Sequence, residues 1–278
     1  MKKIILIFFI SVLNLSTIAQ SLNVMTYNIR LDVAVDGENA WVHRKGVLTS
    51  QIQFYEPDIL GVQEATPNQV TEMSALLPQY NQVGIGREGR EKGESSNIYY
   101  KKNRFIVKKT NTFWLSETSN RISKGWDAAF NRVCTYALFK DKKTKKYIWV
   151  FNTHLDHIGE IARTKSIELI LSKIKELNTQ NYLVVFMGDF NSEPKTERIL
   201  ALKKEMNDCR DLSKNKPFGP SGTFNGFKFN EPVTTLIDYI FISKDNKIVV
   251  DKYAILSDSK DLKYPSDHLP VLVKLRYK

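Results

Sequence analysis

The sequence predicts an α/β fold in which two mixed β-sheets stack face to face with helices on their outer surfaces. Three observations predict it. Strand-like apolar runs outnumber helical ones, and they are joined both by tight hairpins and by longer helical crossovers. The acids, amides and imidazoles, moreover, collect where the apolar runs stop: Asn28, Glu64, Asn152, His154, Asp189 and Asn191. A parallel sheet wound on both sides would interleave helices with nearly every strand, and this chain does not.

The elements follow in order. Lys2 and Lys3 precede an apolar run from Ile4 to Leu15, broken only by Ser11 and Asn14, and Thr17 and Ala19 supply small residues for cleavage. Residues 1–19 therefore read as a secretory signal removed after Ala19, too short to span a membrane comfortably. Export to a periplasmic or extracellular location follows from that reading. Residues 20–278 read as one domain, because no linker, repeat or low-complexity tract divides them. Leu22 to Tyr27 is the first strand. From Val42 to Phe54, Val47, Leu48 and Ile52 recur near helical spacing, and Pro57 marks the break. Ile59 to Val62 is a short buried strand. Thr66 caps a helix with Pro67 in its first turn and Val70, Met73, Leu76 and Leu77 on one side.

Further strands are expected at Asn97 to Tyr100, Phe105 to Lys108, Val133 to Phe139 and Tyr147 to Asn152. A helix carrying Ile167, Ile170, Leu171, Ile174 and Leu177 follows, then an apolar strand from Leu183 to Met187 that ends at Gly188 and Asp189. Leu236 to Ser243 and Leu269 to Leu275 complete the set.

Formal charge is +11, of which Lys2 and Lys3 carry two. A basic exterior attracts polyanions or phosphorylated substrates, but Lys140, Lys142, Lys143, Lys145 and Lys146 read equally well as a solvated hairpin tip. Cys134 and Cys209 could form one disulfide in an exported protein, or Cys134 could be a buried thiol in its strand.

The segments MTYNIR (Met25 to Arg30), GVQEA (Gly61 to Ala65), NTHLDH (Asn152 to His157), GDFNSEP (Gly188 to Pro194), IDYIF (Ile237 to Phe241) and SDHLPV (Ser266 to Val271) occur in that order. The set resembles the endonuclease/exonuclease/phosphatase superfamily, and the resemblance spans nearly the whole chain after the signal. It implies a four-layer α/β sandwich of the DNase I type and hydrolysis of phosphoesters with Mg²⁺ or Mn²⁺. Residue by residue, it implies Glu64 as principal metal ligand, assisted by Asn28 and Asp267. It implies Asp189 and Asn191 at the attacking water, phosphate or second metal, and His268 oriented by Asp238 for proton transfer. His154 would face the other side of the phosphate, with Glu94 as its carboxylate partner. It resembles most an exported bacterial subgroup.

Taken singly these residues have plainer readings: Asn28 could cap a turn, Glu64 could open a helix, and Asp189 and Asn191 could form only a turn. Asp238 is harder to dismiss, since a charge inside an apolar run needs a partner. His157 reads as a rim residue and His43 as a surface residue. Arg132 could clamp a phosphate, and Trp126, Phe224 and Phe227 could stack on substrate or anchor loops. The expected activity is that of an exported metal-dependent phosphoesterase, monomeric, acting on a phosphorylated small molecule, a phospholipid headgroup or nucleic acid. Dispersed lysines rather than a continuous basic track favour the smaller substrate over a nuclease. A catalytically silent binding protein on the same fold is the rival from another class.

Overall fold

A computed structural model describes residues 21–244 and 247–278. The expected signal segment lies outside the described residues. The chain builds β1 (Ser21–Asn28), a 3₁₀ segment (Ala34–Asn39), α1 (Trp41–Tyr55), β2 (Ile59–Gln63), α2 (Pro67–Leu76), β3 (Tyr80–Val83) and β4 (Ile98–Lys101). It continues with β5 (Phe105–Trp114), β6 (Val133–Asp141), β7 (Tyr147–His154), α3 (Glu160–Leu177), β8 (Leu183–Asp189) and α4 (Glu197–Glu205). Last come β9 (Met206–Asp208), α5 (Cys209–Leu212), β10 (Asp238–Ser243), β11 (Ile248–Ile255) and β12 (Val271–Tyr277).

Two six-stranded mixed sheets result, one in the order β11-β12-β1-β2-β4-β3 and the other β5-β6-β7-β8-β10-β9. Each has one parallel pair near its middle, β1 with β2 and β7 with β8, and is otherwise antiparallel. Helices α1 and α2 bury Trp41, Leu48, Ile52 and Met73 against Met25, Tyr27, Leu60 and Val62 on the outer face of the first sheet. The Thr66 cap forms with Gln69 as a reciprocal capping box, which starts α2 where β2 has just ended. Between the sheets, a side chain on Gly61 would meet Met187 and Asn152, so β2 approaches the second sheet closely there. Alternation along β7 and β8 then sends Asn152, His154, Met187 and Asp189 toward the first sheet. This is the two-sheet sandwich with flanking helices that the sequence predicts.

Three features depart from expectation. Strand β5 runs to Trp114 rather than stopping at Lys108, because its polar Lys108-to-Thr112 stretch pairs at a sheet edge beyond a register shift near Val107. The sequence pattern does not mark strands β3, β9 and β11 or helices α4 and α5. Cys134 and Cys209 are separate buried free thiols, each pushed well up by burial, so the possible disulfide does not form.

An ion-paired clamp ties the sheets together on the flank away from the site. Arg104 donates to Asp58 at 2.7 Å, just before β2, and to Asp141 at 2.8 Å, at the end of β6. Burial alone would raise the Asp141 pKa, but hydrogen bonds from Arg104 and from the Lys143 backbone N–H hold it below the ordinary carboxylate range. A folded-state pKa below the unfolded value adds stability that is full above the unfolded pKa and fades as pH falls through the folded one. Asp141→Asn is therefore expected to cost about 2 kcal/mol at pH 7, and thermal melts should show that deficit shrinking as pH falls below the ordinary aspartate range, about 4.

Candidate active site

Both parallel pairs end at the same edge of the sandwich, the place where α/β sheets bind ligands. Asn28 ends β1 opposite Gln63 of β2, and Glu64 follows. In the second sheet His154, Asp189 and Asp238 lie side by side on β7, β8 and β10. Gly188 has φ 145°, and a side chain there would collide with the Thr153 carbonyl, so only glycine lets β8 deliver Asp189 so close to β7. Beneath the site the two sheets are pinned together by polar contacts. The Gln63 amide donates to Asn152 Oδ1 at 2.6 Å, and the Asn152 amide donates to the carbonyls of Val62 and Asn97 at 2.8 and 2.9 Å.

The side chains converge on Asp189. Asn28 Nδ2 donates to Asp189 Oδ2 at 3.0 Å and to Glu64 Oε1 at 2.9 Å. His154 Nε2 stands 3.4 Å and His268 Nε2 3.8 Å from the same Asp189 oxygen. On its far side His268 Nδ1 donates to Asp238 Oδ2 at 2.9 Å. Asn191, in a left-handed conformation, donates its backbone N–H to Asp189 Oδ1 at 2.9 Å and brings its side-chain amide 3.1 Å from His154 Nε2. Glu64 is also left-handed, and its second oxygen accepts from the Leu31 backbone N–H at 3.0 Å. Such backbone strain at several neighbouring polar residues is common at functional sites. Asp267 reaches the cluster from the β11–β12 connection, with Arg30 Nε 3.9 Å away.

Electrostatics sort the groups into different protonation states. Burial, then the Asp238 charge, push Asp189 up to about 7, against the opposing pull of His268 and of hydrogen bonds from Asn191 and Asn28. Burial disfavours a charged His268, but Asp238, Asp189 and Asp267 outweigh it and hold the imidazole well above its ordinary value. His154 goes the other way: burial, then the positive charges of Arg132, His268 and Arg87, keep it neutral. Two imidazoles flanking one carboxylate in opposite charge states give the site a proton donor and a polar neutral group.

The cleft above these residues has a volume of about 820 Å³ and is walled by Arg30, Arg87, Phe130, Arg132, Arg163, Arg198 and Phe224. A family model for the endonuclease/exonuclease/phosphatase family matches residues 25–268, almost the whole described chain. The chain belongs to the endonuclease/exonuclease/phosphatase family. Among solved structures it is similar to a mannosyl-6-phosphatase of Bacteroides thetaiotaomicron, 35% identical, covering 92% of this chain and 100% of that one with a TM-score of 0.88. A protein of Acanthamoeba polyphaga mimivirus is 30% identical over 84% of this chain and 91% of its own. The fold alone is shared with the human Nocturnin catalytic domain bearing a sulfate anion, 22% identical with a TM-score of 0.73 over 93% of this chain and 95% of that domain.

Ten of the eleven site residues expected from the sequence of this family member cluster at the cleft or directly behind it: Asn28, Glu64, His154, Asp189, Asn191, Asp238, Asp267, His268, Arg132 and, with a different partner, Glu94. Glu94 is not bonded to His154. Arg87 captures it at 2.7 Å, while His154 Nδ1 is buried without a hydrogen-bond partner among the described residues. Burial, followed by the charge of Glu64, lifts the Glu94 pKa in spite of Arg87. Arg132 lines the cleft, yet its guanidinium is nearly buried, holding Asp156 Oδ2 at 3.2 Å and His157 Nδ1 at 3.0 Å, so it braces the wall rather than standing free as a clamp. Trp126 occupies a left-handed turn with its backbone N–H directed at Glu117, and it does not line the cleft. Phe227 packs over Arg44 instead of substrate space, whereas Phe224 sets its ring edge-on to His268 at 5.1 Å.

Sequence reasoning missed Arg87 and Phe130. Phe130 stacks on His157, and the guanidinium carbons of Arg87 and Arg132 stand 4.8 and 6.0 Å from its ring centre. Little in the local pattern around Arg87 marks it, because its short ion pair and its ring contact come from residues 94 and 130, and the adjacent Glu88 is only 3.9 Å away.

A divalent cation fits the donor set on one side of this site. Glu64 and Asp267 offer carboxylate oxygens, and among the charges acting on buried Asp267, Glu64 is one that raises its pKa. Asn28, expected as a third ligand, instead turns its amide nitrogen to Glu64 and Asp189 while its Oδ1 accepts from the Arg30 backbone N–H at 3.0 Å, so it orients the carboxylates rather than offering an oxygen. Hard cations select such all-oxygen sets and relieve that repulsion. Asp189, Asp238 and His268 also bring ligand atoms within 4.8 Å of one another. His268 Nδ1 is already committed to Asp238, however, which suits that trio to proton transfer better than to a hard metal.

Proposed function

We propose that this family member is a divalent-metal-dependent hydrolase of a small phosphorylated substrate, with a phosphorylated sugar as the leading class. One observation carries the reading: an Asp189 carboxylate flanked by two imidazoles lies one amide, Asn28, away from the Glu64 carboxylate. Glu64 and Asp267 would hold the cation, which when bound neutralises charge on a phosphate oxygen and on the transition state. Asp189, steered by the Asn28 amide and the Asn191 N–H, accepts the proton of the attacking water. His268, fixed by Asp238 behind it, turns Nε2 toward the phosphate and its departing oxygen. His154 and Asn191 form a neutral polar wall opposite. Water adds to phosphorus, the ester P–O bond breaks, and the freed alcohol oxygen takes up a proton.

The substrate class rests on charge. Each guanidinium walling the cleft already has a carboxylate: Arg30 with Asp36, Arg87 with Glu94, Arg132 with Asp156, and Arg163 and Arg198 with Glu160. A nucleic-acid backbone needs a run of available cations, whereas a single small phosphoester does not. The 35% likeness to a mannosyl-6-phosphatase supports a sugar phosphate. Among the described residues no helix is long and apolar enough to cross a membrane, and the Lys2-to-Ala19 pattern supports export.

The test is a substrate panel of hexose 6-phosphates, nucleotides, sphingomyelin, RNA and plasmid DNA, each with Mg²⁺, with Mn²⁺ and with EDTA. The expected result is release of inorganic phosphate from a hexose phosphate, abolished by EDTA and restored by excess Mg²⁺ or Mn²⁺. Strong, salt-sensitive cleavage of DNA or RNA with none on small esters would overturn the substrate class. Undiminished turnover in EDTA would overturn the metal.

A further inference from the structure

We infer that Arg44, which does not touch the cleft, is the positioning residue that sets the spacing between Glu64 and Asp267 and so tunes the affinity of the metal site. The inference rests on the metal reading proposed above. Arg44 projects from α1, is 5% exposed, and is absent from the cleft lining. All its hydrogen-bond partners are backbone carbonyls. Nε donates to Asn39 at 2.8 Å, one terminal nitrogen donates to Ile29 and to Pro265 at 3.3 Å, and the other donates to Arg30 at 2.6 Å and Leu31 at 3.4 Å.

Four of those five carbonyls belong to the two turns that hold the proposed metal ligands, and the fifth, Asn39, ends the 3₁₀ segment before α1. Residues 29–31 follow Asn28 directly, and the Leu31 N–H fixes one oxygen of Glu64. Pro265 lies two residues before Asp267 on the opposite turn, and Ser266 Oγ reaches back to the Asn28 carbonyl at 2.7 Å. A third loop is joined through its aromatic ring. Phe227 stacks over the Arg44 guanidinium at 5.8 Å, with Trp41 at 5.2 Å, and the adjacent Asn225 and Gly226 N–H groups donate to the Asp267 carbonyl at 2.8 and 3.1 Å.

Both turns leave regular strand pairing here, so their inward carbonyls have no ladder partners and need donors. A guanidinium supplies five N–H groups in a planar fork, while a lysine supplies three from one point. A cation buried at this cost, with no carboxylate at ion-pair distance among the described residues, is explained if the spacing it enforces matters. Groups that orient metal ligands without touching the metal typically change affinity by about 10- to 100-fold when altered.

The experiment compares wild type with Arg44→Lys and Phe227→Leu by calorimetric titration of the purified apo-protein with Mn²⁺, and by the metal dependence of turnover. The expected result is a folded Arg44→Lys protein whose Mn²⁺ Kd rises about 10- to 100-fold, with KM for substrate at saturating metal nearly unchanged. A purely structural role predicts a lower Tm but an unchanged Kd in the folded protein, and that outcome would overturn the inference. If Arg44→Lys does not fold, Phe227→Leu decides, since it loosens one face of the guanidinium only: a weakened Kd supports the inference and an unchanged one sinks it. Wild type that binds no Mn²⁺ would instead remove the metal reading on which the inference stands.

Discussion

Asp189→Asn is expected to lower kcat by about 10³-fold while the protein melts at the same temperature or a few degrees higher. The two halves of that expectation have one cause. Asp189 is 1% exposed, lies in register with Asp238, and is held near neutrality by burial and that neighbouring charge. An unprotonated carboxylate there costs folding free energy, as strained functional groups often do. Asparagine keeps the shape and can still meet the Asn191 N–H through its oxygen, but it cannot take a proton from water. Steady-state kinetics at saturating substrate and metal, beside a thermal melt of the same preparation, provide the check. A folded variant retaining more than about a tenth of wild-type kcat would remove Asp189 from the chemistry.

Much of this site is legible in the sequence because each main residue ends a run whose physics is local. The stretch Leu183 to Met187 is uniformly apolar, so it must be buried on both faces, and the acid that follows Gly188 has to emerge at its rim. Asp238 stands out because a charge at the head of a buried strand demands a partner, and His268 is that partner at 2.9 Å. What stayed hidden depends on contacts between distant segments. Glu94 could bond to His154 or to Arg87, and only the packing of residues 84–95 against β5 decides for Arg87, whose carbonyl also accepts from the Trp114 indole. Strand β3 is polar and pairs on one side only, so alternation does not reveal it. Strand β11 carries an irregularity between Val250 and Lys252 that shifts its register and breaks the period of two. Arg132 shows what the sequence leaves open: a guanidinium near a phosphate motif invites a ligand role, and it does line the cleft, but it is already paired with Asp156, which backbone N–H groups hold below the ordinary carboxylate range despite burial.

Asp238→Asn carries the other large effect, a fall in kcat of about 10³- to 10⁴-fold with little change in the metal concentration needed for half-maximal activity. Asp238 Oδ2 accepts from His268 Nδ1, and this contact makes the imidazole a cation and aims Nε2 into the cleft. An asparagine that presents its amide nitrogen to Nδ1 stabilises the opposite tautomer; one that presents its oxygen keeps the orientation but loses the charge that favours imidazolium. Either way His268 ceases to be a proton donor at neutral pH. The Thr223 hydroxyl still accepts the residue's backbone N–H at 3.2 Å, so the strand start is preserved. Glu64 and Asp267 do not contact Asp238, which is why metal dependence should hold while turnover collapses. The decisive control is the double variant Asp238→Asn with His268→Ala. If the two residues act as one unit, it should be scarcely slower than His268→Ala alone, because residues that function as a unit are grossly non-additive. Multiplicative losses would instead mean that Asp238 serves the reaction through some route other than His268.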